Sequence, residues 1–207
     1  MTTQNFSLLL AALLFSGIAE AQQGADTATR QGQGKTNAAQ VAKATSAWPK
    51  ASRDAIKFMT DKYGAPSAVT SDAVMWGKTG PWKRTLVFRV EVAHQFPKVH
   101  MDVMQQWIDY KAPLDKYDEL AAYDGSVVLE RTAGEMSARC DREAANFLAL
   151  NLADEVARGK RTVDDARMKY GEQIKAMMGM KPAPYTEKLM FNVAGNTQDA
   201  DRSLPGM

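Results

Sequence analysis

The sequence predicts an α+β domain: a mostly antiparallel sheet of about four to five strands packed against helices. Three observations predict it. Segments with apolar residues at every second position, such as "WKRTLVFRVEVAH", share the chain with segments of period near 3.6, such as "TVDDARMKYGEQIKAMMGM". The two kinds follow in the order αβββαβααβ, without the regular strand–helix–strand repeat that builds parallel sheets. Short turns carrying Gly or Pro, such as "GKTGP" and "QFPKVH", separate them.

Each element has a local reason. "WPKASRDAIKFMTDKYG" places Pro49 in the first turn of a helix and Gly64 just past its end, with Ser52, Ala55, Ile56, Met59 and Tyr63 on one face. "APSAVTSDAVMW" reads as a turn and a short strand ending at Trp76. In "WKRTLVFRVEVAH", Leu86, Phe88, Val90 and Val92 alternate with Thr85, Arg89 and Glu91, so the apolar set is assigned to the buried face. "MDVMQQWIDYKAP" is rich in β-favouring residues and ends at Pro113, which reads as another strand. "PLDKYDELAAYDG" is a short helix and "SVVLERT" a strand. A long helix is predicted from about Ala133 to Arg158, stopped by Gly159. The next helix starts at Thr162, with Asp164 and Asp165 in its first turn. Its stripe is Val163, Ala166, Tyr170, Ile174 and Met177. "YTEKLMFNV" alternates again and is predicted as a last strand.

Residues 1–21 read as a signal peptide. "FSLLLAALLFSGIA" is too short to span a bilayer, and "AEAQ" carries an A-x-A pattern ahead of cleavage after Ala21. Residues 22–47 are polar and small, which predicts a disordered tether with an Ala-rich end able to become helical. Residues 48–194 are the single domain and 195–207 a flexible tail. The expected location is therefore periplasmic or secreted, and no other segment is apolar enough for an integral membrane protein. A formal net charge of +2 gives no basic stripe for nucleic acid. One cysteine in the whole chain allows no internal disulfide, so the core must hold the fold.

"KYGAP", "GPWKR", the His94–His100 loop and "LAAYDGSVVLERTAGEMSARCDREAANFLALNLADEVARGKRTVDDAR" resemble an uncharacterised family of exported bacterial proteins with no established function. The run of helix, Tyr-Gly-x-Pro, short strand ending in Trp and longer strand is similar to small outer-membrane assembly lipoproteins of the BamE type. That likeness spans about forty residues and lacks the lipid-anchoring cysteine. The resemblances imply export and a small domain, and no activity.

Candidate chemistry is sparse. On the predicted long helix, Met136, Cys140, Ala144, Phe147, Leu148 and Leu152 share an apolar arc. Arg139, Arg142, Glu143 and Asn146 point the other way. Cys140 then reads as a small buried hydrophobe. Asp141 and Asn151 interrupt the arc and read as ties to neighbouring backbone or, for Asp141, to Arg84, Arg89 or Arg131. His94, His100 and Asp102 form His-x5-His-x-Asp at a strand turn. The favoured reading there is a solvated loop, and the alternative is a zinc or copper site. Trp76, Trp82, Lys83 and Arg84 surround a turn and offer an aromatic and basic binding surface, if the two rings are not buried. Hydrolase, dinucleotide and paired-cysteine signatures are absent, and no cofactor is expected.

The resulting expectation is a soluble, non-enzymatic envelope module that binds a protein or glycan. The alternative is a small periplasmic enzyme whose pocket uses Asp141, Arg139 or Arg131, and His100. A concave pocket joining His100 to Asp141 would favour the enzyme, and a flat aromatic and basic patch the module.

Overall fold

The computed structural model describes residues 37–207. The expected signal peptide and residues 22–36 of the expected tether lie outside them. Two helices come first, α1 at Ala38–Ala44 and α2 at Lys50–Tyr63. Strands β1 at Ala68–Val69, β2 at Ala73–Trp76, β3 at Arg84–His94 and β4 at His100–Asp109 follow. After α3 at Tyr117–Tyr123 come β5 at Val127–Glu130 and β6 at Glu135–Cys140, then α4 at Glu143–Ala157 and α5 at Val163–Met178. The six strands form one antiparallel sheet in the order β1-β2-β3-β4-β6-β5. The fold is α+β, with one strand more than the upper expectation. Among the described residues no helix is long and apolar enough to cross a membrane.

Helices cover one face of the sheet. From α2, Ala55, Ile56 and Met59 pack with Val74, Trp76, Val87 and Met104. From α4, Phe147, Leu148 and Leu152 pack with Trp82, Ile108, Met136 and Ala138. The α2 face and the α5 stripe predicted from period 3.6 are the buried faces observed. Thr162 caps α5 by accepting from Asp165 N at 3.2 Å.

Three expectations are corrected. The predicted long helix begins about ten residues late, because Glu135–Cys140 is the strand β6. Gly134, at φ +64, turns β5 back into β6, and β6 then pairs with β4 on one side and β5 on the other. Two ladders outweigh a local helical preference. Cys140 is still buried, but through the alternation of a strand. Glu143 and Asn146, expected outside, are buried with polar partners.

The buried face of β3 is also inverted. Thr85 and Val87 face the helices, while Leu86 and Phe88 are half-buried and Val90 and Val92 exposed. Register decides this: Thr85 pairs with Gln106 and Val87 with Met104, both buried under α2 and α4. Guanidinium groups cover part of the open face. Arg84 lies 4.4 Å from the Trp107 ring and Arg139 4.4 Å from the Phe88 ring.

"YTEKLMFNV" is not a strand. It holds a 3-10 turn at Pro184–Thr186 and then irregular chain. Asn151 of α4 binds it instead, donating to Tyr185 O and Lys188 O at 2.9 and 2.8 Å and accepting from Met190 N at 2.7 Å. A segment whose backbone groups are taken by a side chain has fewer left for a ladder.

The packed domain also reaches past both expected ends. Asn37 and Gln40 form a capping box on α1, and Val41 is buried beside Trp48. In the expected flexible tail, Thr197 is buried and its hydroxyl donates to Gly134 O at 2.7 Å. Arg131 pairs with Asp199 and Asp201.

Candidate metal centre

The hairpin β3–β4 builds the site. His94 and His100 are cross-strand partners in the last pair of the ladder, so their rings sit side by side with centroids 5.0 Å apart. Asp102 follows two residues after His100, which returns its side chain to the same face. His-x5-His-x-Asp is thus the spacing that an antiparallel turn folds into one cluster. One donor atom from each of the three lies within 4.8 Å of the others.

Each candidate ligand is oriented by a second group. Lys98 O can only accept, so the His100 Nδ1–H donates to it at 2.8 Å. That leaves Nε2 facing Asp102 Oδ1 at 3.1 Å and Cys140 Sγ at 3.3 Å. His94 Nδ1 lies 3.3 Å from Asp102 Oδ2, and its Nε2 lies 3.7 Å from the buried Asp124. Asp102 Oδ2 accepts from the Ser126 hydroxyl. His100 thus gives its second N–H to a carbonyl, as imidazoles that hold metals typically do.

Asp102 Oδ1 is the anomaly. The side chain is 2% exposed, and among the described residues this oxygen has no hydrogen-bond partner. It sits near His100 Nε2 without the geometry of a hydrogen bond, so the 3.1 Å contact is ionic. A buried carboxylate oxygen left this way costs more than a neutral group would. Two donors bound about 2.1 Å from one ion stand about 3.0–3.4 Å apart. His100 stands 3.1 Å from Oδ1 and His94 3.3 Å from Oδ2, so each imidazole has that spacing to one oxygen, and one atom from each of the three residues lies within 4.8 Å of the others.

Charge at the site is strongly arranged. Asp102 first, then Cys140, hold the His100 imidazolium up to about 11 against burial. Burial pushes the Cys140 thiol up, and His100 offsets only part of that. Burial also pushes Asp124 up, opposed by the Ser126 N–H and His94. Burial opposes ionisation of Asp141, yet Arg142 outweighs it and keeps that carboxyl below its ordinary value.

A cavity of about 60 Å³ adjoins the cluster. His100, Cys140, Asp141 and Arg142 line its polar side, and Tyr170, Ile174, Met177 and Met178 its apolar side. It joins His100 to Asp141, as the enzyme alternative required. The arginine there is Arg142, whose Nε and Nη2 donate to Asp141 at 3.0 and 2.7 Å. Arg131 is engaged by Asp199 and Asp201, and Arg139 lies over Phe88 and donates to Val90 O at 3.2 Å.

The expected aromatic surface is corrected too. Trp76 and Trp82 are 1% and 0% exposed. Trp76 donates its indole N–H to Gly64 O, and Trp82 donates to Glu143. Lys83 and Arg84 are held by Asp109 and Glu135. The aromatic rings that do reach the open sheet face are Phe88 and Trp107, one strand-neighbour from the positions the sequence singled out.

Sequence reasoning missed Ser126, Asp124 and Lys98 O. "DGS" read as a turn, and the turn is real: Asp124 accepts from Ser126 N at 2.8 Å. Its proximity to the hairpin end arises from the packing of β5 beside β6 and β4, which no local pattern encodes. Comparisons with protein-family models, curated proteins and solved structures return no match.

Proposed function

We propose that this domain is a metal-binding module that holds a divalent transition cation between His94, His100 and Asp102. One observation carries the reading: two imidazoles flank one buried carboxylate, His100 beside Oδ1, which accepts no hydrogen bond among the described residues, and His94 beside Oδ2. Two nitrogens and one oxygen suit zinc, copper or iron in the divalent state rather than magnesium or calcium, which take mostly oxygen. Three protein donors leave coordination positions for water or a small ligand. If the leader acts as its pattern suggests, the module works outside the cytoplasm. The binding role expected from the sequence is thereby kept, with its partner changed from a protein or glycan to a cation.

A second reading is favoured by the cavity. His100 belongs to both the donor set and the cavity that Asp141 and Arg142 line. A metal there would polarise a small bound group beside a guanidinium. The limited volume restricts that group to a few heavy atoms.

The test is metal titration of the purified full chain by calorimetry with zinc(II), against His94→Ala and Asp102→Asn. The expected result is one equivalent bound by the parent chain. Each variant should lose at least about a hundredfold in affinity, since even orienting partners are worth about 10–100-fold. Equal affinity in the parent chain and both variants would remove the proposal.

A further inference from the structure

We propose that the cluster has a second, sulfur-bearing side that takes copper(I), with His100 shared between the two sides. This rests on the reading of His94, His100 and Asp102 as a metal site.

The observation is an asymmetry around one ring. On one side of His100 Nε2 is Asp102 Oδ1 at 3.1 Å, a hard oxygen donor. On the other is Cys140 Sγ at 3.3 Å, a soft one. An imidazole nitrogen and a sulfur bound to one ion at about 2.1 and 2.3 Å stand about 3.6 Å apart at a tetrahedral angle, so these two atoms need only open by about 0.3 Å. Met177 and the largely exposed Met178 line the cavity beyond them, and their flexible side chains can bring thioethers to it. The Met178 sulfur lies 3.3 Å from Lys98 Nζ, and the Lys98 carbonyl orients His100. Tyr170 and Ile174 supply an apolar wall.

Ligand softness then sorts the cations. Thiolate and thioether groups select copper(I), while imidazole with carboxylate suits the divalent ions. A cavity that gathers Cys140, Met177, Met178 and one imidazole behind an apolar wall matches the first class. Binding replaces the Cys140 thiol proton and the His100 Nε2 proton, both of which pass to solvent, and the ion enters and remains as copper(I). No electron is transferred in this step.

The experiment uses the full chain, reduced and without oxygen. Copper(I) is supplied in competition with bicinchoninate, and zinc(II) is titrated separately. The variants are Cys140→Ser, the double change Met177→Leu with Met178→Leu, and Asp102→Asn. Cys140→Ser is expected to weaken copper(I) by about a hundredfold and the methionine pair by about tenfold, both leaving zinc(II) within about threefold. Asp102→Asn should do the reverse. The methionine pair keeps the test open if Cys140→Ser fails to fold. Copper(I) affinity unchanged in both sulfur variants overturns the inference, as does zinc(II) falling in step with copper(I). If zinc(II) binds through Asp102 while copper(I) ignores sulfur, only this inference falls. If neither ion binds the parent chain, the metal-site reading falls with it.

Discussion

Two buried carboxylates sit under the same sheet and differ in what surrounds them. Glu143, at the start of α4, accepts from Tyr63 OH at 2.6 Å and Trp82 Nε1 at 2.7 Å, and pairs with Lys62. Its oxygens are answered by groups from α2, the β2–β3 turn and its own surroundings. Asp102, on β4, has one oxygen held by Ser126, while the other meets His100 only as an ionic contact and accepts no hydrogen bond among the described residues. Both groups are almost fully buried. Glu143 is what a structural tie looks like, because both its oxygens are answered, by Lys62 and Tyr63 of α2 and by Trp82 of the β2–β3 turn. Asp102 is what a site looks like, because a polar group has been buried with one valence open. The number of polar partners, more than burial, separates the two.

The largest expected effect comes from breaking the tie. Glu143→Ala leaves the Trp82 indole N–H and the Tyr63 hydroxyl buried without an acceptor, and should cost about 3–5 kcal/mol by urea unfolding. Asp102→Asn in the metal-free chain removes less, because it keeps an acceptor for Ser126 and loses the ion pair with His100, whose imidazole can shed its proton, and should cost about 1–2 kcal/mol. If Asp102→Asn proved as costly as Glu143→Ala, Asp102 would belong with the ties.

Asn151 is a second tie, between α4 and the chain after α5. Replacing it with Ala should cost about 1–3 kcal/mol by urea unfolding, and raise amide exchange at Met190. Unchanged exchange there would mean that the segment is held by its apolar contacts alone.

A smaller effect is read from pH. Arg84 holds the Glu135 carboxyl below its ordinary value, against burial and with help from Lys83. A carboxyl lowered in the folded chain gives stability that is complete above its unfolded value, near pH 4.3, and is lost as pH falls through the folded one. The melting temperature should therefore fall below about pH 4 in the parent chain, and fall less steeply in Glu135→Gln. Parallel curves would place the acid sensitivity elsewhere.

Smallest of all is the open sheet face. Val90→Thr, at an exposed position, should change stability by less than about 0.5 kcal/mol. A loss of several times that would return Val90 to the core, where alternation alone had put it.

The helices α2 and α5 were legible because their apolar stripes, caps and stop signals lie within one segment each. The strand at Glu135–Cys140 was not. Its residues favour a helix locally, and two neighbouring strands, one more than thirty residues earlier in β4, hold it extended. The Trp pair was placed on strands and turns correctly, but burial of an indole depends on which helix lies above it. The histidine cluster was half legible: the spacing named its members, while its outer partners Asp124 and Ser126 arrive from the turn before β5.

By itself the sequence determined the class of fold, most of the elements and the three donors that a hairpin can gather, because each of these follows from spacing along a single segment. The tertiary structure alone decided which face of β3 is buried, that Cys140 stands beside His100, and that one oxygen of Asp102 is left open. Alternation with period two reads the same from either face, so only the register between strands and the helices laid across them can choose.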